Sequence, residues 1–501
     1  MPRSRSFLAP FAAFPLAALG VLAGCSSSGS GSSAPLAQQG ASPPREADAG
    51  ADVAVGDSGV ALGDPCRGTP LPADGHYVAP GLCARQIAAH QGELREITFA
   101  PNGDLYGVTA DGVIKRYRDA NHDGVFSDGP PEVVEWAQTG SAGHSNDVAL
   151  DVAGGYLYAG IETGVKRWKW SPDADAGGAA EDVVVGATAN GTHRFHTVHV
   201  YDGALWVHSG SENNAVNPKG GDYDDDRALI RRFDLASFSP AAPFAWKSGE
   251  IVSRGVRNAV GFARNAAGTV YAVVNGPDNV SYKNVDVHLD NPGDQLIKVE
   301  AGKRYGYPFC MSAVRLLDGD RLVPPGTMVA ATIIGNDNEG RAFDNPHDDA
   351  WCAANADPPL SIFQAHSAAL DLAFFEKEPA GNLPERYRGG AFVSLHGSWN
   401  RDPSTGYQIV WMPIDAAGNA PMPTSTKDGT TFPYQVVFGG GTSAGPKDGA
   451  WGWPGEKLFR PIGVAVSPID GALYVSSDNG QVFGQKEKGG DGAIYRVGAM
   501  R

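Results

Sequence analysis

The sequence predicts an all-β chain folded as a six-bladed β-propeller. Three observations point there. A unit made of an apolar run, a Gly/Asn/Asp turn and a second run rich in Leu, Tyr, Trp and Val recurs six times. Inside the runs, apolar and polar residues alternate with period two. No long segment carries the 3.6-residue period of a helix. A pair of β-sandwiches is the competing architecture, and it leaves the sixfold recurrence unexplained.

In chain order, residues 1–24 read as a targeting segment. Arg3 and Arg5 open it, Phe7 to Val21 is mostly apolar and proline-interrupted, and Leu22-Ala23-Gly24-Cys25 closes it. That run is too short for a stable membrane span. The L-A-G-C tetrad resembles a bacterial lipobox, which implies an exported protein lipidated at Cys25. Ser26 then implies the outer membrane, facing the periplasm or the cell surface. Residues 25–64 are rich in Ser, Gly, Ala and Pro, bury too little apolar surface to offset chain entropy, and read as a disordered linker. Residues 65–501 are ample for one large β domain.

The first unit is Ile97–Phe99, the turn at Asn102-Gly103, Leu105–Val108 and Val113–Tyr117. The second is Val148–Leu150, Gly154-Gly155, Tyr156–Ala159 and Val165–Trp168. The third is Thr197–Val200, Asp202-Gly203, Leu205–His208 and Leu229–Phe233. The fourth is Val260–Ala263, Ala267-Gly268, Val270–Val274 and Gln295–Val299. The fifth is Leu370–Phe374, Ala391–Leu395 and Tyr407–Met412. The sixth is Val464–Val466, Asp470-Gly471, Leu473–Ser476 and Ala493–Val497. A long insertion, Met311–Ala354, breaks the spacing, and insertions of that length usually carry function or are disordered.

Cys66, Cys83, Cys310 and Cys352 remain after Cys25. An even number in an exported chain predicts two disulfides, with the local pairing Cys66–Cys83 and Cys310–Cys352 favoured among three. No C-x-x-C-H occurs, so no c-type haem is attached. The net charge of −16 argues against a nucleic-acid partner.

In a propeller, loops at matched blade positions meet over the central channel. The loops at those positions hold His144, His193, Arg257, His366, Arg401 and Arg460. A ring of such residues is a stronger signal than any one alone. Histidine suits general-base work because its ordinary pKa is near neutrality. Arginine suits bidentate carboxylate capture. Arg257 and Asn258 precede one apolar run, and Asn275-Gly276-Pro277 ends the next. Such a polar pair with free backbone carbonyls suits an anionic, oxygen-rich ligand and a hard cation. Asp119 to Gly124 resembles the start of an EF-hand loop, but Pro130 stands where the bidentate glutamate belongs.

Four motifs carry a family resemblance: R-N-x-x-G-F with G-P following, Y-G-Y-P at Tyr305–Pro308, H-G-S-W-N-R at His396–Arg401, and R-P-x-G-V from Arg460. With them, Glu93 to Val497 resembles the soluble pyrroloquinoline quinone (PQQ) sugar dehydrogenases of the glucose/sorbosone dehydrogenase superfamily. The resemblance implies PQQ and Ca²⁺ as cofactors, a sugar or related alcohol or aldehyde as substrate, and an external electron acceptor. It implies that His193 takes the substrate hydroxyl proton while hydride passes to the quinone; His196 is the alternative base across a one-residue gap. It implies Arg257 and Asn258 at the quinone oxygens, His144, Arg401 and Arg460 as further cofactor contacts, and the Gly276 and Pro277 carbonyls on Ca²⁺. The aspartate that supports the histidine in the glucose enzymes corresponds to Ser211, and glucose is not assigned. A Ca²⁺-dependent lactonase-like hydrolase and a non-catalytic glycan- or protein-binding propeller are the competing functions.

Overall fold

The computed structural model describes residues 69–70, 76–126, 129–140, 147–215, 223–334, 342–343, 345–376, 383–398, 400–401, 404–440, 459–478 and 492–500. The chain divides into Met1–Gly59 and Val60–Arg501. The first unit, with the expected lipobox and most of the expected linker, lies outside the described residues.

The second unit is a ring of six antiparallel blades. Blade 1 runs outward through Leu94–Phe99, Leu105–Thr109, Val113–Tyr117 and Val133–Gln138. Blade 2 uses Val148–Asp151, Tyr156–Ile161, Gly164–Lys169 and Glu181–Val185. Blade 3 uses His196–Tyr201, Ala204–Ser209, Leu229–Asp234 and Glu250–Arg254. Blade 4 uses Gly261–Arg264, Val270–Val274, Gln295–Lys298 and Ser361–Ile362. Blade 5 uses Ala369–Phe374, Ala391–Leu395, Gln408–Met412 and Gln435–Gly440. Blade 6 uses Pro461–Val466, Leu473–Ser477 and Ala493–Ala499.

Each predicted turn closes as its residues require. Asp202 and Gly203 both adopt positive φ, 50° and 72°, between the paired Tyr201 and Ala204. This is the two-residue hairpin geometry that matches strand twist. The fourth strand of each blade was not expected. Glu181–Val185 and Glu250–Arg254 are half exposed and carry little alternation. The ring closes through Leu82–Ala88, which pairs with the last strand from Leu82↔Ala499 to Ala88↔Ile494 and completes blade 6. His76–Val78 likewise joins the edge of blade 5.

Apolar side chains fill the spaces between blades. Tyr106 and Trp136 of blade 1 pack with Leu157 and Trp168 of blade 2. The insertion between the third and fourth strands of blade 4 forms a small separate layer of short strand pairs and one helix, Asp349–Asn355. The Cys310–Cys352 disulfide ties it together as expected. Cys83 is also disulfide-bonded; its expected partner, Cys66, lies outside the described residues. Asp119, Asn121 and Asp123 form a hydrogen-bonded turn, with the Asp119 carboxylate accepting from the Gly124 N–H at 3.0 Å.

Two cavities follow one another along the inner strands. Thr197, Val260 and Leu370 face the first, of about 290 Å³. His199, Phe262 and Leu372, two residues on in each strand, face the second, of about 240 Å³. Glu96, Asp147 and Asp371 meet in the second cavity. Burial pushes all three carboxyls up, Asp371 to about 7, and the Asp371 charge adds to the rise at the other two.

Candidate active site

The first cavity brings together His193, Arg257, Asn258, Gly276, His366 and Arg460, six residues from five different blades or blade connections. Arg95, Asp278, Asp294, His396 and Asn400 join them.

His193 sits on a loop that runs against the 210–212 segment. Gly210 permits the approach: a Cβ there would lie 2.5 Å from the His193 carbonyl oxygen. The Ser211 hydroxyl donates its proton to the Asn213 carbonyl at 2.9 Å. It is therefore an acceptor for the His193 Nδ1–H at 2.8 Å. That assignment leaves Nε2 unprotonated, as a general base requires. Burial, and next the Arg257 charge, hold the imidazole well below its ordinary pKa, so it is neutral near pH 7. Ser211 thus orients the ring without supplying the negative charge an aspartate would. The Tyr307 hydroxyl of Y-G-Y-P donates to the same Asn213 carbonyl at 3.1 Å. The Ser211 N–H donates to the Arg257 carbonyl at 2.8 Å. The alternative base, His196, is fully buried, with its two ring nitrogens 3.1 Å from the His208 and Glu162 carbonyls.

Arg257 enters from the connection between blades 3 and 4. Its Nη2 donates to Asn214 Oδ1 at 3.0 Å and lies 3.7 Å from Asp278 Oδ2. Its buried Nε finds no acceptor among the described residues. Asn258 donates from Nδ2 to Asn275 Oδ1 at 3.2 Å. Asp294, buried, accepts the Gly276 N–H at 2.9 Å and the Ala368 N–H at 2.7 Å, and so fixes two cavity loops. Burial would raise the Asp278 carboxyl, but the His366 hydrogen bond and the Arg257 charge outweigh it and bring it to about 2. Asn400 Nδ2 donates to Asp278 Oδ1 at 2.8 Å.

A cationic wall stands at blades 6 and 1. Arg460 Nη2 donates to His396 Nδ1 at 2.8 Å, and His396 Nε2–H donates to Asp478 Oδ2 at 3.1 Å. Burial, then the Arg460 charge, bring His396 down to about 4, so it is neutral. Arg95 Nη1 reaches the same Asp478 oxygen at 3.3 Å. Burial opposes ionisation of Asp478, but its interaction with His396, and next the Arg95 and Arg460 charges, hold it well below the usual carboxylate range.

Not every expected residue arrives. Arg401 is not among the residues lining the cavity. Its Nε donates to the Leu289 carbonyl at 2.9 Å and its Nη2 faces Asp290 Oδ1 at 3.7 Å. The H-G-S-W-N-R loop turns so that His396 and Asn400 enter the cavity and Arg401 reaches Leu289 and Asp290, between the second and third strands of blade 4. Pro277 lines a small adjoining cavity with Gly276, not the main one. His144 lies outside the described residues. Arg95 and Asp278 were missed. The charged doublet Arg95-Glu96 within an inner strand was a readable signal, as was the aspartate directly after Gly276-Pro277.

The TrAA12-like family profile matches residues 76–484. The chain belongs to the TrAA12-like family. The PQQ-dependent pyranose dehydrogenase of Coprinopsis cinerea is 29% identical over 436 residues, covering 83% of this chain and 55% of that protein. The chain thus spans about half the length of that curated relative. The PQQ-dependent sugar dehydrogenase of Hypocrea jecorina is 24% identical over 440 residues, 84% of this chain and 90% of that protein. The holo form of the Coprinopsis cinerea pyranose dehydrogenase PQQ domain superposes with a TM-score of 0.68 at 24% identity, covering 86% of this chain and 99% of that one. This TrAA12-like chain shares that fold.

Proposed function

We propose that this protein is a PQQ- and Ca²⁺-dependent dehydrogenase that oxidises a sugar hydroxyl and passes electrons to an external acceptor. One observation carries the reading: a neutral histidine anchored through Nδ1 opens onto the same cavity as an Arg-Asn pair and a two-arginine wall. The names of the Coprinopsis cinerea and Hypocrea jecorina relatives support the cofactor and the sugar substrate.

The donor set fits a planar tricarboxylate quinone. Arg95 and Arg460 suit its carboxylates. Arg257 and Asn258 suit its quinone oxygens, and the buried Arg257 Nε is a donor with no acceptor among the described residues. The backbone carbonyls of Gly276 and Pro277 are hard donors suited to Ca²⁺, and Asp294 fixes the Gly276 peptide. When bound, PQQ supplies a two-electron acceptor and Ca²⁺ a Lewis acid. His193 Nε2 takes the hydroxyl proton, while Ser211 keeps Nδ1–H in place. Asp278, ionised beside His366 and Asn400, is available to a substrate hydroxyl.

The hydrolase alternative needs side-chain carboxylates around a metal. Among the described residues no group of three or more His, Cys, Asp or Glu side chains is placed to hold one. Export and anchoring through Cys25 belong to the same proposal, supported by the L-A-G-C tetrad and by the disulfide in the fold. Lipid labelling in a bacterial host tests the anchor: Cys25→Ser should abolish it. The function is tested with His193→Ala, which should bind PQQ normally and lose turnover in dye reduction. Full activity in that variant would move the base elsewhere.

A further inference from the structure

Arg227 lies behind the cavity wall, almost fully buried, and does not line the cavity. Its backbone is set locally. Asp224 Oδ1 accepts the N–H groups of Asp226 at 2.7 Å and Arg227 at 3.4 Å. Ala228 then turns the chain at a φ of 53° into the third strand of blade 3. The guanidinium reaches between the two loops that hold His193 and Ser211. Nε donates to the Gly210 carbonyl at 2.9 Å. Nη1 donates to the carbonyl and the side-chain oxygen of Asn190, the latter at 2.8 Å. Nη2 donates to the Ser211 carbonyl at 3.3 Å and lies 3.5 Å from the His193 carbonyl. The two loops also bond directly, with the Thr192 N–H donating to the Glu212 carbonyl at 2.6 Å.

We infer that Arg227 is a positioning residue for His193, its planar fork holding the 190–193 and 210–211 loops in register so that the Ser211 hydroxyl meets Nδ1. The inference rests on the proposed role of His193 as the base. A serine contributes one neutral hydrogen bond to the ring, weaker than the charged bond an aspartate would make. The ring orientation therefore depends on how well the two backbones are fixed, and a rigid fork with five donors fixes both at once. A lysine ammonium cannot span the same carbonyls. A misplacement of about 1 Å in a catalytic group costs up to roughly a hundredfold in rate.

The test uses the full chain with Arg227→Ala and Arg227→Lys. Four quantities are measured: PQQ affinity by spectral titration, kcat and KM by dye reduction, and the His193 tautomer by ¹⁵N imidazole resonances in apo-protein labelled at histidine. The wild type should show the Nδ1–H tautomer. Arg227→Ala should bind PQQ within threefold of wild type, lose tenfold or more in kcat with KM little changed, and show a mixed tautomer. Added guanidinium should restore several-fold of the lost rate. Arg227→Lys should keep less than a third of wild-type kcat, and it decides the matter if the alanine variant does not fold. Wild-type kcat together with an unchanged tautomer in either variant overturns the inference. Turnover that survives in His193→Ala sinks the proposed base instead, and the tautomer measurement still reports on Arg227 independently.

Discussion

Asp371 in the second cavity makes a prediction whose sign and size both follow from the fold. Its carboxyl is fully enclosed beside Glu96 and Asp147, and burial raises it to about 7 from 3.8. The unfolded chain releases that proton near pH 4, whereas the folded chain holds it to about pH 7. The group's contribution to stability is therefore complete below pH 4 and is lost as pH rises toward 7. At about 1.4 kcal/mol per pH unit, a rise of some three units costs on the order of 4 kcal/mol above neutrality. Asp371→Asn removes that pH-dependent cost. The amide oxygen can still accept the Val464 N–H, which now bonds Oδ2 at 2.7 Å, and the new NH₂ faces Glu96. The unfolding entropy of the Val60–Arg501 unit is roughly 0.9 kcal/mol/K at about 2.1 cal/mol/K per residue. The variant should thus gain about 4 °C in Tm over wild type between pH 4 and pH 8. The assay is differential scanning calorimetry of both proteins across that range. His199 and Arg264 are common to both proteins, and Glu96 and Asp147, which the Asp371 charge raises, titrate with it, so the difference reports the three-carboxyl cluster. A Tm difference that stays flat with pH, or that favours wild type as pH rises, refutes the reasoning.

Ser211→Asp gives His193 a charged partner and should move the acid limb of the kcat/KM profile up by about one to two pH units; an unmoved limb separates Ser211 from the base. Arg460→Met removes a charged donor from the cavity wall and should weaken PQQ binding by about tenfold to a hundredfold, read by spectral titration, whereas Arg401→Met should leave it within threefold. Cys352→Ser opens a cross-link of sequence separation 42 and should cost about 4 kcal/mol by loop entropy, seen as a fall of roughly 4 °C in Tm.

The three inner strands of each blade were legible because their apolar runs stand out between turn residues, alternating in burial in Val113–Tyr117 and buried throughout in Ala391–Leu395. The outer strands were not, because half-exposed segments such as Glu250–Arg254 look like loops. Closure by Leu82–Ala88 could not be read locally, since its partner strand lies at the far end of the chain. Composition and matched loop position put Arg257, Asn258, Gly276 and Arg460 among the candidates, and all four line the first cavity. Arg401 was misplaced because loop position does not give side-chain direction. His396, five residues earlier in the same loop, takes the cavity position through Arg460 and Asp478. Ser211 was recognised as a departure from the glucose enzymes, but the Arg227 fork behind it depends on three segments meeting in space.

PQQ-dependent oxidation requires that the intact protein bind the cofactor. Apo-protein titrated with PQQ in the presence of Ca²⁺, and followed by absorption of the quinone, should saturate at one equivalent with micromolar or tighter affinity. Addition of a sugar from an aldose panel should then bleach the bound chromophore and start dye reduction. An absence of PQQ binding at micromolar concentrations excludes a PQQ-dependent dehydrogenase.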